Sequence, residues 1–264
     1  SGLVTEVFDA ERITKLPGTG AIGHVRYATQ EAQGAENVQP LLFRSQASDL
    51  AVAHNGKITN AGSIRGSLEG EGSIFQTSSD AEILAHLAKR SGASSLPERI
   101  CESLQQLEGA YAFLLLTTSA LYVGLDPHGI KPLALGRFGN GYVVASETCA
   151  FDLIGANFLR EVEPGEFLII TDEGLESRHF AEKQKPALCA MEYIYFSRPD
   201  SNLRGMNVHT ARKKLGKALG EEHPIQADVV TGVPESSLSA AIGYAEVTGI
   251  PYEMGLIKSR YVGR

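Results

Sequence analysis

GHVRYAT, residues 23–29, is the stretch from which the rest of this chain is best interpreted, and it follows the apolar pair Ala21-Ile22. Apolar residues that lead into polar ones predict a short buried strand ending in a loop, where binding side chains commonly lie. Arg26 stands at this junction. A buried guanidinium needs a planar anion, and a carboxylate accepts two parallel hydrogen bonds from it. Arg26 is therefore a candidate carboxylate-binding residue, with a structural ion pair as the alternative.

The tripeptide His54-Asn55-Gly56 is a second candidate, and it follows the apolar residues 50–53. An asparagine followed by a glycine can direct one side-chain N–H and one backbone N–H at the same point, which is the outline of an oxyanion hole. The alternative is an ordinary turn, because Asn-Gly is also the strongest hairpin signal.

A third candidate is SSDAE, residues 78–82, which opens a predicted helix. Asp80 provides an acid for an ammonium group, although Ser79 or Asp80 could equally be a helix N-cap. The three stretches together provide a carboxylate clamp, two oxyanion donors and an acid. A zwitterionic amino acid with a carbonyl in its side chain satisfies all three, and this describes glutamine.

The order of these motifs resembles a known family. GHVRYAT, HNG and SSDAE look like the glutaminase domain of the N-terminal-nucleophile (Ntn) amidotransferases, a class II glutamine amidotransferase domain. CAMEYIYFSRPDS at 189–201 and GYAEVTGIPYEMGLIKSRYVGR at 243–264 are similar to the glutamine phosphoribosylpyrophosphate amidotransferases (amidophosphoribosyltransferases) in particular. The resemblance runs nearly end to end, with this chain truncated at both ends relative to the family. Two alternatives stay open: another class II amidotransferase of the hexosamine-phosphate synthase type, and a non-catalytic glutamine-binding module.

The resemblance implies an α+β fold in two parts. Residues 1–185 would form the glutaminase domain, an Ntn-hydrolase αββα sandwich that is incomplete because its N-terminal segment is lacking. Residues 186–264 would begin an α/β type I phosphoribosyltransferase domain. The pattern agrees, because helical spacing gives way to short apolar strands and then to alternating helices and strands. Predicted helices cover residues 79–90, 96–107, 207–221 and 237–248, and predicted strands cover 110–117, 121–125, 132–135, 142–146, 166–171 and 227–230, with a further strand from 250.

Two surface predictions accompany this pattern. Residues 30–40 are small and polar, so we expect an exposed loop near the candidate site. The basic run at residues 212–214 is expected to form a solvated face of its helix.

The resemblance also assigns roles within the pocket. Arg26 would hold the α-carboxylate of glutamine and Asp80 its α-ammonium. Asn55 Nδ2 and the Gly56 N–H would stabilise the tetrahedral oxyanion. The pocket would be supported by Tyr27, Thr29 and His54.

The implied reaction belongs to de novo purine biosynthesis. An N-terminal cysteine hydrolyses glutamine, and the ammonia displaces pyrophosphate from phosphoribosyl pyrophosphate, which gives 5-phosphoribosylamine, pyrophosphate and glutamate. Such an enzyme is a pentosyltransferase. This chain begins with Ser1-Gly2, and its interior cysteines lack the free α-amine that serves as the base. We therefore expect the 264-residue chain by itself to be inactive.

Further predictions concern a phosphate site and metal groups. Glu235, Ser236 and Ser237 lie between a strand and a helix N-terminus, a natural position for phosphate. The comparable family loop more often has Asp and Gly where Glu235 and Ser237 stand, and serine tolerates fewer backbone angles than glycine. The resemblance implies Mg²⁺ with the pyrophosphate. It also allows a [4Fe-4S] cluster through Cys189 and cysteines outside this chain, with a buried thiol as the alternative.

Composition argues against some classes of binding partner. The formal net charge of −7 argues against a nucleic acid, and no apolar run approaches the roughly 20 residues of a membrane helix. Three widely spaced cysteines fit reduced thiols in the cytoplasm. The partners implied by the resemblance are glutamine, phosphoribosyl pyrophosphate, purine nucleotides as feedback inhibitors, and further copies of the chain in a dimer or tetramer.

Overall fold

The structure, a computed structural model, describes residues 4–25, 34–45 and 49–259. Within these residues the helices are α1 Val4–Val7, α2 Ala10–Thr14, α3 Ala61–Gly70, α4 Ala81–Arg90, α5 Leu96–Leu104, α6 Cys149–Ile154, α7 Val208–Glu222 and α8 Leu238–Thr248. The strands are β1 Leu41–Phe43, β2 Leu50–Ile58, β3 Gly109–Leu116, β4 Leu121–Leu125, β5 Ala134–Phe138, β6 Gly141–Ala145, β7 Asn157–Glu161, β8 Glu166–Thr171, β9 Gly174–His179, β10 Asn202–Leu203 and β11 Met206–Asn207. A 3₁₀ turn covers Ala35–Asn37 and a π-helical turn covers Glu192–Phe196.

The chain forms two compact units that alternate along the sequence. The first takes in the described residues of Ser1–Gly109 together with Phe113–Gly124 and Phe167–Phe180. The second consists of Ala110–Ala112, Leu125–Glu166 and the described residues of Ala181–Arg264. These compact units are defined by contacts between residues, whereas the predicted boundary between residues 185 and 186 separates two kinds of domain. The predicted boundary therefore stays a prediction.

A six-stranded sheet, in the order β1-β2-β3-β4-β8-β9, forms the framework of the first unit. β1 pairs antiparallel with β2, with Leu41 opposite Val52, and β4 pairs antiparallel with β8, with Val123 opposite Leu168. All four side chains are buried, as expected for apolar residues on the inner face of a sheet. Residues 46–48, between β1 and β2 in the sequence, lie outside the described part.

Two helices pack beside this sheet. The predicted apolar stripe of α4 is buried and consists of Ile83, Leu84, Leu87 and Ala88. α5 begins with a capping box, in which Ser95 Oγ accepts from the Glu98 N–H and the Glu98 side chain accepts from the Ser95 N–H. α4 packs against α5 and against β1 and β2. α4 therefore packs directly on the strand β2.

The second unit contains a three-stranded sheet in the order β6-β5-β7, and α7 packs against α8. The predicted strands on either side of α8 are reduced to one parallel bridge between Val230 and Tyr252. Val230 N–H donates to the Pro251 carbonyl and Glu253 N–H donates to the Val230 carbonyl. The ladder stops there because Pro251 has no N–H and the Gly255 N–H donates to the Glu253 carbonyl and to the Thr231 hydroxyl oxygen instead of continuing the backbone pairing.

The strand predicted to lead into residue 26 and the predicted solvation of Arg212 are both wrong. Residues 21–25 form no strand, and Val25 is exposed. An apolar run becomes a strand only where a neighbour takes up its backbone N–H and C=O groups. Arg212 is 3% exposed rather than solvated. Its Nε donates to the Tyr193 carbonyl (2.6 Å) and its guanidinium also donates to the Ser197 carbonyl (2.7 Å), because carbonyls at the end of a helical turn need partners.

None of the helices in the described ranges is long and apolar enough to span a membrane.

Candidate active site

The candidate oxyanion pair lies in the second half of β2. Asn55 is half-buried, and its side-chain amide makes no hydrogen bond to another described residue. Gly56 is exposed and has a φ of 137°, a value that favours glycine. Both groups lie on an ordered strand, and a ligand can reach them.

The residue before this pair is firmly held. His54 is buried, and its ring stacks on Phe113 with 4.5 Å between ring centroids. The His54 N–H donates to Gln39 Oε1 at 2.6 Å. His54 therefore fixes the strand immediately before Asn55.

Asp80 precedes α4 directly, and its side chain does not cap that helix. Instead, Asp80 Oδ2 accepts a hydrogen bond from the Ile58 N–H (3.2 Å) and lies 3.7 Å from Lys57 Nζ. The Ser79 hydroxyl accepts from the Ala81 N–H (3.3 Å) and so takes the local capping position. The structure therefore brings the acid to the strand that carries Asn55 and Gly56, within two residues of Gly56.

The remaining predicted pocket residues are Arg26, Tyr27 and Thr29, and they lie outside the described residues. The carboxylate clamp stays a prediction for this reason.

The expected exposed loop at residues 30–40 is wrong at two described positions. Asn37 is 2% exposed and Gln39 is 7% exposed, although both are polar. Asn37 Oδ1 accepts from both the N–H and the hydroxyl of Ser78, at 3.1 and 3.2 Å. Neither residue was predicted to be buried. Their alternation with Val38 could have indicated it, because side chains two residues apart in extended backbone lie on the same face.

Glu82 is a third residue that the sequence analysis did not single out. Its carboxylate is 1% exposed and accepts from the Gln76 N–H (2.9 Å), the Thr77 N–H (2.8 Å) and the Thr77 hydroxyl (2.7 Å). Burial alone would raise the pKa of Glu82, but hydrogen bonds from Gln76, Thr77 and His86 outweigh it and hold the pKa below its ordinary value of 4.5. An ionised Glu82 therefore pins the segment that leads to Asp80.

A side-chain hydrogen bond within the candidate phosphate loop holds it in place. The Ser237 hydroxyl donates to the Val233 carbonyl at 2.7 Å, just before α8 begins. Ser237 has a φ of −92°, which any residue adopts, so a serine is compatible with this position. Glu235 is exposed and Ser236 is half-buried. Their predicted role toward phosphate remains a prediction.

The described residues do not form a complete metal site. They contain no group of three or more His, Cys, Asp or Glu side chains placed to hold an ion. Cys189 is half-buried, and its backbone N–H donates to the Ile130 carbonyl. A cluster through Cys189 does not fit the ligands of the described chain.

The other cysteines are poor nucleophiles. Burial raises the pKa of Cys101 to about 11 and also raises the pKa of Cys149. Both thiols stay protonated near neutral pH, and a thiol is far less nucleophilic than a thiolate. The expectation that these interior cysteines do not serve as nucleophiles agrees with their burial.

Comparison with known proteins shows what this chain is similar to. A family model described as a glutamine amidotransferase domain matches residues 24–152. An amidophosphoribosyltransferase of Bacillus subtilis is 63% identical over all 264 residues, which cover 56% of that protein. Over its whole length this chain is similar to the amidophosphoribosyltransferases. A second one, from Staphylococcus epidermidis, is 49% identical over the whole chain, and the match covers 54% of its length.

A solved structure supports the fold in the same way. It is that of the B. subtilis glutamine phosphoribosylpyrophosphate amidotransferase complexed with ADP and GMP. It matches this chain with a TM-score of 0.94 and 63% identity, covering the whole chain and 57% of the solved one. The predicted α+β fold with the class II Ntn glutaminase domain of this family is confirmed. The chain spans a little over half the length of these amidophosphoribosyltransferases.

Proposed function

We propose that this protein acts as an amidophosphoribosyltransferase of purine biosynthesis. It takes ammonia from glutamine and transfers it to phosphoribosyl pyrophosphate, which yields 5-phosphoribosylamine, pyrophosphate and glutamate. The observation that carries the proposal is the hydrogen bond from the Ile58 N–H to Asp80 Oδ2. It ties an acid to the strand on which Asn55 and Gly56 offer two N–H donors.

The proposed glutamine site uses opposite ends of the substrate. Asp80 binds the α-ammonium and Arg26 binds the α-carboxylate, each by a charge-assisted hydrogen bond. Tyr27, Thr29 and His54 support the pocket walls. Asp80 contacts β2 at Ile58, two residues beyond Gly56, and two residues span about 6.6 Å along a strand, which suits the length of a glutamine side chain.

Asn55 and Gly56 act on the reacting carbonyl. When a thiolate attacks the glutamine amide, the carbonyl oxygen becomes an oxyanion. Asn55 Nδ2–H and the Gly56 N–H donate to it, and preorganised donors of this kind favour the transition state over the ground state. The family nucleophile is an N-terminal cysteine, and the buried interior thiols described above do not replace it.

The second half of the reaction involves the C-terminal part of the chain. Glu235, Ser236 and Ser237, ahead of the N-terminus of α8, are proposed to contact pyrophosphate, which Mg²⁺ accompanies in this family.

The ADP and GMP named for the B. subtilis structure support purine nucleotides as feedback inhibitors. A cytoplasmic location and assembly into dimers or tetramers complete the proposal, and a [4Fe-4S] cluster on Cys189 would need cysteines from outside this chain.

The proposal is tested with Asn55→Ala in the complete product of the gene that encodes this chain. We expect glutamine-dependent formation of phosphoribosylamine to lose about 10²–10³-fold in kcat, because one oxyanion donor is gone. Activity with added ammonium salt should be unchanged, since it bypasses glutamine hydrolysis. Glutamate and pyrophosphate release are the measurements.

Three results contradict the proposal. Wild-type protein that hydrolyses glutamine but aminates a hexose phosphate would indicate the hexosamine-phosphate synthase reaction. Glutamine binding without any hydrolysis would indicate a binding module. An Asn55→Ala variant with unchanged kcat would remove Asn55 from the oxyanion site.

A further inference from the structure

Asn37 and Gln39 lie side by side in the loop before β1 and face the same side. Val38 between them has φ −68° and ψ 127°, an extended conformation, and its own side chain is 65% exposed. Extended backbone directs residues 37 and 39 to one face and residue 38 to the other. The loop thus presents two buried amides to the interior of the first unit.

Gln39 extends the β1–β2 pairing to the residues that precede β1. Leu41 lies opposite Val52, so two further residues along this register set residue 39 opposite residue 54. Gln39 Oε1 accepts the His54 N–H at 2.6 Å. A side-chain oxygen therefore serves as the acceptor for β2 one residue before Asn55.

Asn37 holds the other side of the site. Its Oδ1 accepts both the N–H and the hydroxyl of Ser78, which lies two residues before Asp80. The intervening Ser79 N–H donates to Thr77 Oγ1 at 3.1 Å, and Thr77 is itself fixed by Glu82. Hydrogen bonds therefore hold both Ser78 and Ser79, the two residues that connect this contact to Asp80.

We propose that Asn37 and Gln39 are positioning residues that set the spacing between the oxyanion donors and the acid of the glutamine site. Gln39 fixes Asn55 and Gly56 through the His54 N–H, and Asn37 fixes Asp80 through Ser78. One short loop thereby determines two ends of the substrate pocket. This inference rests on the proposed glutaminase function.

The two residues should affect different kinetic constants. Loss of the Gln39 acceptor shifts donors that act on the transition state, so kcat falls, whereas a group that binds ground state and transition state alike changes only KM. Asp80 binds the non-reacting ammonium group. Loss of the Asn37 acceptor should therefore raise the KM for glutamine while kcat is retained.

The experiment compares acceptor-removing and acceptor-keeping variants in the complete gene product. Gln39→Leu should lower the glutaminase kcat about 10–100-fold, since small misplacements of catalytic groups cost this much. Asn37→Leu should raise the KM for glutamine about tenfold, with kcat within about threefold. Gln39→Glu and Asn37→Asp retain the accepting oxygen, so each should restore its constant to within about threefold of wild type.

Ser103→Ala is the matched control. Ser103 is fully buried in α5, and its hydroxyl donates to the Arg99 carbonyl at 2.6 Å. Its replacement removes one buried hydrogen bond elsewhere in the first unit, so thermal stability should fall while kcat and KM for glutamine stay constant. Should a leucine variant fail to fold, Gln39→Asn and Asn37→Ala replace it, because the first withdraws the oxygen by one methylene and the second removes it.

The outcomes separate the two proposals. Wild-type protein without glutaminase activity contradicts the proposed function. Active wild-type protein in which both variants lower kcat and raise KM together, or in which neither differs from Ser103→Ala, overturns the positioning roles. Failure of the acceptor-keeping variants to restore activity overturns them as well.

Discussion

Single residues in this site are shaped by backbone angles and buried hydrogen bonds. Gly56 takes a φ of 137°, which L side chains rarely adopt, so its peptide planes turn away from the regular strand arrangement. Glu82, 1% exposed, exists as a carboxylate only because N–H and O–H groups of Gln76 and Thr77 replace water around it. Gly56 adopts a backbone angle that other residues rarely adopt, and hydrogen bonds from Gln76 and Thr77 compensate for the burial of the Glu82 charge. The proposed oxyanion donors and acid depend on both.

Glu82→Gln is predicted to reduce the free energy of unfolding at pH 7 by about 2 kcal/mol, because hydrogen bonds to a charged acceptor are the stronger kind. The folded-state pKa of Glu82 lies below its ordinary value of 4.5, so its contribution is present above pH 4.5 and is lost as the pH falls through the lowered value. Urea unfolding at pH 7 and at about pH 3 should show the difference between variant and wild type shrinking in acid.

Glu69→Gln is the control for this prediction. Glu69 is about half exposed and lies 3.8 Å from Arg65, so its replacement should change stability by less than about 0.5 kcal/mol at either pH. A difference for Glu82→Gln that stays constant across this pH range would contradict the role of the ionised carboxylate.

At the scale of elements, the longer helices and the central strands were predicted, and the short or exposed elements were missed. The bounds of α4, α7 and α8 lie within two residues of the predictions, because apolar spacing and N-terminal caps are written in neighbouring residues. β7 and β9 were missed because most of their side chains are at least partly exposed, so neither strand has the apolar run or alternation from which a strand is predicted. α3 was missed too, because it combines three glycines with only one buried residue, Leu68.

The pairing of α7 with α8 depends on glycines at their contact. A Cβ on Gly243 would meet the Lys213 carbonyl, and a Cβ on Gly216 would meet the Ala240 carbonyl. Backbone atoms cannot move aside as a flexible side chain would. The two helices therefore approach at a distance that only a missing side chain allows.

Gly243→Ala is predicted to reduce the free energy of unfolding by about 1–3 kcal/mol, because the added methyl group forces the two helices apart. Helix propensity alone would predict the opposite sign, since alanine favours a helix interior over glycine. Lys214→Ala, on the exposed face of α7, should change stability by less than about 0.5 kcal/mol. Urea unfolding of both variants is the measurement, and a stabilised Gly243→Ala would show that the helices do not pack this closely.

At the scale of the whole molecule, the predicted domain boundary at residues 185 and 186 runs through one compact unit. Leu125–Glu166 and the described residues from Ala181 onward belong to the same unit. Lys131 Nζ contacts Glu192 Oε1 at 3.0 Å across the predicted boundary, with 16% and 7% of the two side chains exposed. Residues assigned by sequence to two domains therefore share a partly buried ion pair.

Lys131→Met is predicted to cost about 3 kcal/mol of stability, because it leaves the Glu192 carboxylate buried without its cation. The double variant Lys131→Met/Glu192→Leu should recover much of this loss, which gives a coupling energy above about 1 kcal/mol in a double-mutant cycle. Arg198→Ala breaks an exposed pair with Asp200 and should cost less than about 1 kcal/mol. Additive effects of the two single substitutions would contradict coupling across the boundary.

The sequence by itself predicted the fold class and the identity of the candidate site groups, because short motifs and apolar periodicity are local properties of the chain. The tertiary structure decided which of these groups meet. It placed Asp80 on the Ile58 N–H rather than on its own helix, and it buried Asn37, Gln39 and Arg212, which polarity alone would leave in solvent. Burial of a polar side chain depends on partners far away in the sequence, and no local pattern specifies those partners.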